Sequence, residues 1–153
     1  MGPIEAFMTA DHAELDALLA RADARDGSPI QLEPFEEFRR RLLKHIAMEE
    51  KVLLRFARDR QGEPLKEAGR LRVDHGKIAK LLVPTPTPEI CASLRAVLAE
   101  HNPLEEGERG VYAQCDALTK EEAEAKAIVQ QLRELPDVPP APHYDGPLLN
   151  RSR

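Results

Sequence analysis

The chain has 153 residues, 42% of them hydrophobic, and 22 Lys and Arg against 27 Asp and Glu give it a formal net charge of −5. That length supports one domain with a substantial core, and the acidic balance argues against a nucleic-acid binder. No run approaches ~18 consecutive apolar residues, so no membrane span is expected; the first residues, Met1-Gly2-Pro3-Ile4-Glu5, lack the basic and apolar regions of a secretory signal, and two unpaired cysteines suit a reducing, cytoplasmic setting.

A first helix is predicted from Pro3 to about Asp26, with Pro3 in its first turn and Gly27-Ser28-Pro29 as its stop. Its apolar stripe of Met8, Leu15 and Leu19 includes His12. A second helix should begin near Pro34, run to about Arg60 and close at Gly62. His45 and Glu49 lie on its stripe with Phe38, Leu42, Met48 and Val52, while Arg39-Arg40-Arg41 reads as its solvated face. A third helix, from Pro64 to Leu82, carries His75 beside Leu71 and Ile78. Pro84-Thr85-Pro86-Thr87-Pro88 is a stiff linker in which Thr87 caps the fourth helix and Pro88 takes its first position.

The fourth helix carries Leu94, Val97, Leu98, His101 and Glu105 on its inner face. Pro103 removes a backbone hydrogen bond there and should bend the helix beside Glu105. The alternative is a helix that stops and resumes near Arg109. Thr119-x-x-Glu122 reads as a capping box opening a fifth helix that ends near Leu135. Cys91 and Cys115 are placed on a single helix, too far apart to bridge, as packing residues. Residues 136–153, with Pro139-Pro140-Ala141-Pro142 and the ending Asn150-Arg151-Ser152-Arg153, are expected to be an extended or disordered tail in which His143 is solvated. Short connections make successive helices antiparallel. The expected fold is therefore all-α: an up-down-up-down four-helix bundle over residues 1–135, with an additional short C-terminal helix and a Pro-rich tail.

The pattern that carries chemistry is written twice: His12, then His45-x-x-x-Glu49, then His75, then His101-x-x-x-Glu105. A spacing of four stacks both side chains on one helix face, one turn apart. All six fall on apolar stripes, where an ionised carboxylate costs several kcal/mol unless compensated. No Lys or Arg shares those core positions. Metal cations would compensate both carboxylates and use the imidazoles at once, which makes His12, His45, Glu49, His75, His101 and Glu105 the candidate metal ligands. Hydrogen-bonded core residues would explain any one of them singly, but not six in register.

This ordered set, with Glu50 after Glu49 and Asn102 and Glu106 flanking the last pair, resembles the hemerythrin-like, or HHE cation-binding, domain family over roughly residues 3–135. The resemblance implies a four-helix bundle enclosing two iron ions, bridged by carboxylates and often by an oxo or hydroxo group. His12 and His45 would then bind one iron, His75 and His101 the other, and Glu49 and Glu105 would bridge them. The two half-repeats, each supplying two imidazoles and one carboxylate, give the same partition.

The fifth histidine of the invertebrate oxygen carriers has no counterpart here, because the positions four away from His75 are Leu71 and Ala79. The chain is thus similar to the bacterial and regulatory branch. Glu105 and Glu106 both stand near the place of the second carboxylate, and helical facing favours Glu105. Tyr112 is expected to pack with its hydroxyl at the core edge, the alternative being a hydrogen bond to the bridge. Asp11 and Asp74 each precede a ligand histidine, but neighbours on a helix diverge by about 100°, so they are expected to face solvent rather than another helix's histidine. Glu50 and Glu106 are expected on the flank.

Mixed imidazole and carboxylate ligation suits iron, with zinc or manganese as substitutes. No Glu stands three residues before a ligand histidine, as in ferritin-like oxidases, and no His-Glu-x-x-His or Cys-x-x-Cys occurs. The expectation is a non-enzymatic diiron protein that binds or senses dioxygen or a similar small molecule. An enzyme or iron donor acting in nitric oxide or peroxide stress or iron–sulfur repair is one alternative, and an iron-dependent regulatory module is another. The chain names no protein partner.

Overall fold

Pro3 pre-sets the backbone for the first turn of α1 (Pro3–Ala22), and the exposed amides of Ile4 and Glu5 are taken by the Asp116 carboxylate at 3.0 and 2.9 Å. That helix opens a computed structural model that describes residues 1–147. Among the described residues the chain is all-α, with no strand, and no helix is long and apolar enough to cross a membrane. The expected first helix runs four residues too far. It stops at Ala22, where Asp23 turns extended, accepts from the Arg25 amide and pairs with Arg95 at 2.7 Å.

The second predicted helix is three pieces in one rod. These are α2 (Leu32–Ala47), a π-helical turn (Met48–Leu53) and α3 (Leu54–Gln61), closed by Gly62 in the left-handed region at φ 85°. The third is shorter than expected: α4 spans Ala68–Leu81. In α5 (Pro88–Glu105) the Thr87 hydroxyl caps the Ile90 amide at 3.1 Å, as the sequence reads. Pro103 does not break α5 at once. The helix ends two residues later, and α6 (Val111–Leu118) and α7 (Glu122–Glu134) follow. The expected capping box does not form, because the Thr119 hydroxyl turns back to the Asp116 carbonyl at 2.6 Å and Glu121 holds the cap position of α7.

α1 packs on α2, α6 and α7, and α4 packs on α5. Their apolar stripes make two separate clusters. One gathers Met8, Met48, Leu53, Leu71, Val111, Cys115 and Leu132; the other gathers Leu15, Phe35, Phe38, Leu42, Ile78, Cys91 and Leu94. Every helix that carries a candidate ligand passes from one cluster to the other, and its histidine sits at the crossing. The two cysteines lie on α5 and α6, not on one helix, and belong to opposite clusters. Burial pushes the Cys115 thiol up to about 12, as befits a packing residue.

The tail is extended, as expected, but it is pinned rather than free through residue 147. His143 is largely buried, its Nδ1 3.2 Å from the Val83 carbonyl and its Nε2 2.5 Å from Glu36. Arg39, expected in solvent, is buried and donates to the Ala141 carbonyl at 2.7 Å. Asp145 accepts from the Thr85 amide and hydroxyl at 2.8 and 2.7 Å. Asn150-Arg151-Ser152-Arg153 lies outside the described residues.

Candidate metal centre

The six predicted ligands meet in the layer between the two apolar clusters. All are buried, and Glu49 and Glu105 are 0% exposed. They form two groups: His12, His45, Glu49 and Glu105, and then Glu49, His75, His101 and Glu105. Within each group the donor atoms lie within 4.8 Å of one another, close to the roughly 4 Å across a coordination sphere with ligands about 2.1 Å from an ion.

The carboxylates divide themselves between the groups. Glu49 turns Oε2 toward His45 Nε2 at 3.1 Å and Oε1 toward His75 Nε2 at 2.7 Å. Glu105 turns Oε1 toward His12 Nε2 at 3.0 Å and Oε2 toward His101 Nε2 at 2.7 Å. Each acid thus offers one oxygen to each pair of histidines, the arrangement a bridging carboxylate requires. Glu105, not Glu106, holds this place.

The inward face of every imidazole is Nε2, and the reason lies outside the cluster. Asp11 of α1 accepts from His45 Nδ1 at 2.7 Å, and Glu50 of the π turn accepts from His75 Nδ1 at 2.6 Å. Asp74 of α4 accepts from His101 Nδ1 at 3.0 Å, and Glu106, just past α5, accepts from His12 Nδ1. Each of these helices therefore lends a carboxylate to the histidine of the next, α1 to α2 to α4 to α5 and back to α1. A carboxylate on Nδ1–H fixes the ring and leaves the Nε2 lone pair for a metal. The expectation that Asp11 and Asp74 face solvent, and that Glu50 and Glu106 stand aside, is corrected here. For Asp11 and Asp74, the divergence of about 100° that turns them away from their own neighbour aims them at the next helix, whereas Glu106 reaches His12 from the extended residue that ends α5.

The π turn serves the same end. Its wider winding lets Glu49 and Glu50, adjacent in sequence, reach Nε2 and Nδ1 of the same ring, His75. Tyr112 is also corrected. Its hydroxyl is not at an edge but in the cluster, 2.5 Å from Glu49 Oε2 and 2.9 Å from Glu105 Oε1.

Without an ion, protons hold the charge. Burial alone would push His45 down, but the Glu49 carboxylate beside it and the hydrogen bonds to Asp11 and Glu49 raise it to about 10. Burial likewise opposes His101, yet Glu105 and Asp74 raise it to about 9. Glu49 is held well below the usual carboxylate range, burial being outweighed by His45 and the hydrogen bonds around it. Burial, then the charges of Glu49 and Glu105, push the Tyr112 phenol well above its ordinary value.

The six candidate ligands, with Leu15, Leu42, Ile78 and Leu98, line a cavity of about 10 Å³. That is near the least that one water-sized molecule needs. Compared with family models, curated proteins and solved structures, the chain matches none.

Proposed function

We propose that the protein is a non-haem diiron protein built on a hemerythrin-like four-helix bundle of α1, α2 with its π turn and α3, α4 and α5, and that it binds or senses dioxygen or a similar small molecule such as nitric oxide. The observation that carries this reading is the pair of four-donor groups sharing Glu49 and Glu105, one oxygen of each acid toward each group. Four imidazoles and two carboxylates suit a redox-active first-row metal, with zinc or manganese as weaker matches to the proposed chemistry. Iron held there would supply an electron-rich centre for a diatomic ligand. The buried residues around it would exclude large molecules, and the outer carboxylates fix the Nε2 lone pairs.

The small cavity also supports binding over catalysis on any large substrate. Iron quantitation on the purified chain, with absorption spectra of the reduced protein before and after oxygen, tests the reading. Two ions per chain and a spectrum that oxygen changes and its removal restores are expected. A chain that takes up at most one ion, or none, overturns the dinuclear centre.

A further inference from the structure

The two halves of the cluster are not alike. The Tyr112 hydroxyl lies 3.1 Å from His12 Nε2 and 3.1 Å from His45 Nε2, besides its contacts to Glu49 Oε2 and Glu105 Oε1. Those four residues make up one of the two groups. Around His75 and His101 the partners are Glu49, Glu50, Asp74 and Glu105, and among the described residues no hydroxyl joins them.

A phenol has one hydrogen to give. Here it faces two carboxylates, which only accept, and two imidazoles whose Nδ1–H groups are committed to Glu106 and Asp11. An ion that displaces the protons of the metal-free cluster leaves neutral rings with lone pairs at Nε2. Two such nitrogens and two carboxylate oxygens around one point make a cation site, with the phenol oxygen already among them.

Its position is fixed from behind. Tyr112 is fully buried in the second residue of α6, and the preceding Gly110 lies so close to the end of α5 that an added Cβ would stand 2.3 Å from the Glu105 carbonyl oxygen.

We propose that Tyr112 is a fifth protein ligand to the ion held by His12 and His45, which makes the two ions of the centre inequivalent. This rests on the dinuclear reading above. As the oxygen–metal bond forms, the phenolic O–H bond breaks and its proton leaves to solvent water. No electron is transferred. The ion at His75 and His101 keeps only its two imidazoles and the two shared acids from the protein.

The test uses the full chain loaded with ferrous iron and oxidised in air. Tyrosine bound to ferric iron gives a visible charge-transfer band and resonance-enhanced ring vibrations that deuterated tyrosine shifts. The chain has two tyrosines, and Tyr144 is 49% exposed, so Tyr144→Phe should leave the signature intact. Tyr112→Phe should keep two irons per chain and lose the band. If Tyr112→Phe does not fold, the labelled Tyr144→Phe protein decides alone, because only Tyr112 then remains to shift. Two irons per chain with no tyrosine vibrations overturns the inference and leaves the dinuclear reading standing. A chain that binds no iron pair overturns both.

Discussion

At the scale of single residues, Glu105 and Glu106 are neighbours with opposite duties. Glu105 is wholly buried with an oxygen toward each histidine pair, whereas the Glu106 carboxylate is partly exposed and meets the outer nitrogen of His12. Glu105→Ala should therefore empty both positions, as should Glu49→Ala, while His12→Ala weakens mainly one. Glu106→Ala should keep two ions but bind them roughly 10–100-fold more weakly, the usual cost of losing an outer partner of a metal-bound histidine. Metal titration of the purified variants distinguishes these outcomes. Full occupancy in Glu105→Ala would falsify the bridging role.

The six inner residues were legible in the chain because each had to interrupt an apolar stripe, and a polar residue on such a stripe stands out against its neighbours. The outer carboxylates had no such contrast. Asp11, Glu50, Asp74 and Glu106 look like ordinary solvent-facing acids until the next helix is in place. A readable trace existed nonetheless: each sits directly beside a candidate ligand in the sequence, and for Asp11 and Asp74 the helical offset aims it about 100° away.

At the scale of elements, the end of α5 is held by contact rather than by its own propensity. Pro103 has already cost that last turn a backbone bond, and Gly110 presses on the Glu105 and Glu106 carbonyls from the start of α6. Gly110→Ala would place a methyl 2.3 Å from one carbonyl oxygen and 2.5 Å from the other. The expected cost is about 1–3 kcal/mol, typical of overpacking a close contact. Weaker metal binding should accompany it, since the segment that must shift carries Glu105, Glu106 and Tyr112. Gly69→Ala is the comparison. It lies inside α4 with open space at its Cβ and should stabilise by roughly 0.5–1 kcal/mol, with metal binding unchanged. Denaturant melts and metal titrations on both variants decide whether the α5–α6 junction, rather than glycine replacement in general, supports the centre.

The elements that escaped the sequence escaped for the same physical reason. A π turn is made of the same residue types as the α-helix around it, and Met48–Leu53 contains neither Pro nor Gly to mark it. The Thr119 pattern could satisfy either of two helix ends and closed the wrong one. In the tail, composition announces that no helix will form but says nothing of docking. Arg39 and His143 find their partners only after Phe35 and the residues following α4 have been brought together.

At the scale of the whole molecule, the polar layer divides the core in two, so the stability of the fold depends on what neutralises that layer. On the proposed reading, metal ions and protons would compete for the same Nε2 atoms, and a metal-free protein would use protons. His45, raised to about 10, and His101, raised to about 9, both lie above their ordinary 6.5 in the folded chain. The sign follows from linkage. A group whose folded value is raised stabilises fully below its unfolded value and loses that contribution as pH rises through the folded one.

The metal-free protein should accordingly lose stability between about pH 7 and pH 10, as Glu49 and Glu105 are left buried beside neutral rings. The metal-loaded protein keeps its compensating charge across that range. Other groups that titrate at high pH, the exposed lysines among them, act on both forms alike and cancel in the difference. The gap in Tm between loaded and metal-free protein should therefore widen on going from pH 7 to pH 10, by on the order of 5 °C or more, at the roughly 2–4 °C per kcal/mol of a chain this size. Paired calorimetric scans along the pH series measure it directly. A gap that stays constant or narrows means that protons do not stand in for cations in this core, and that another source of charge compensation holds the two halves together.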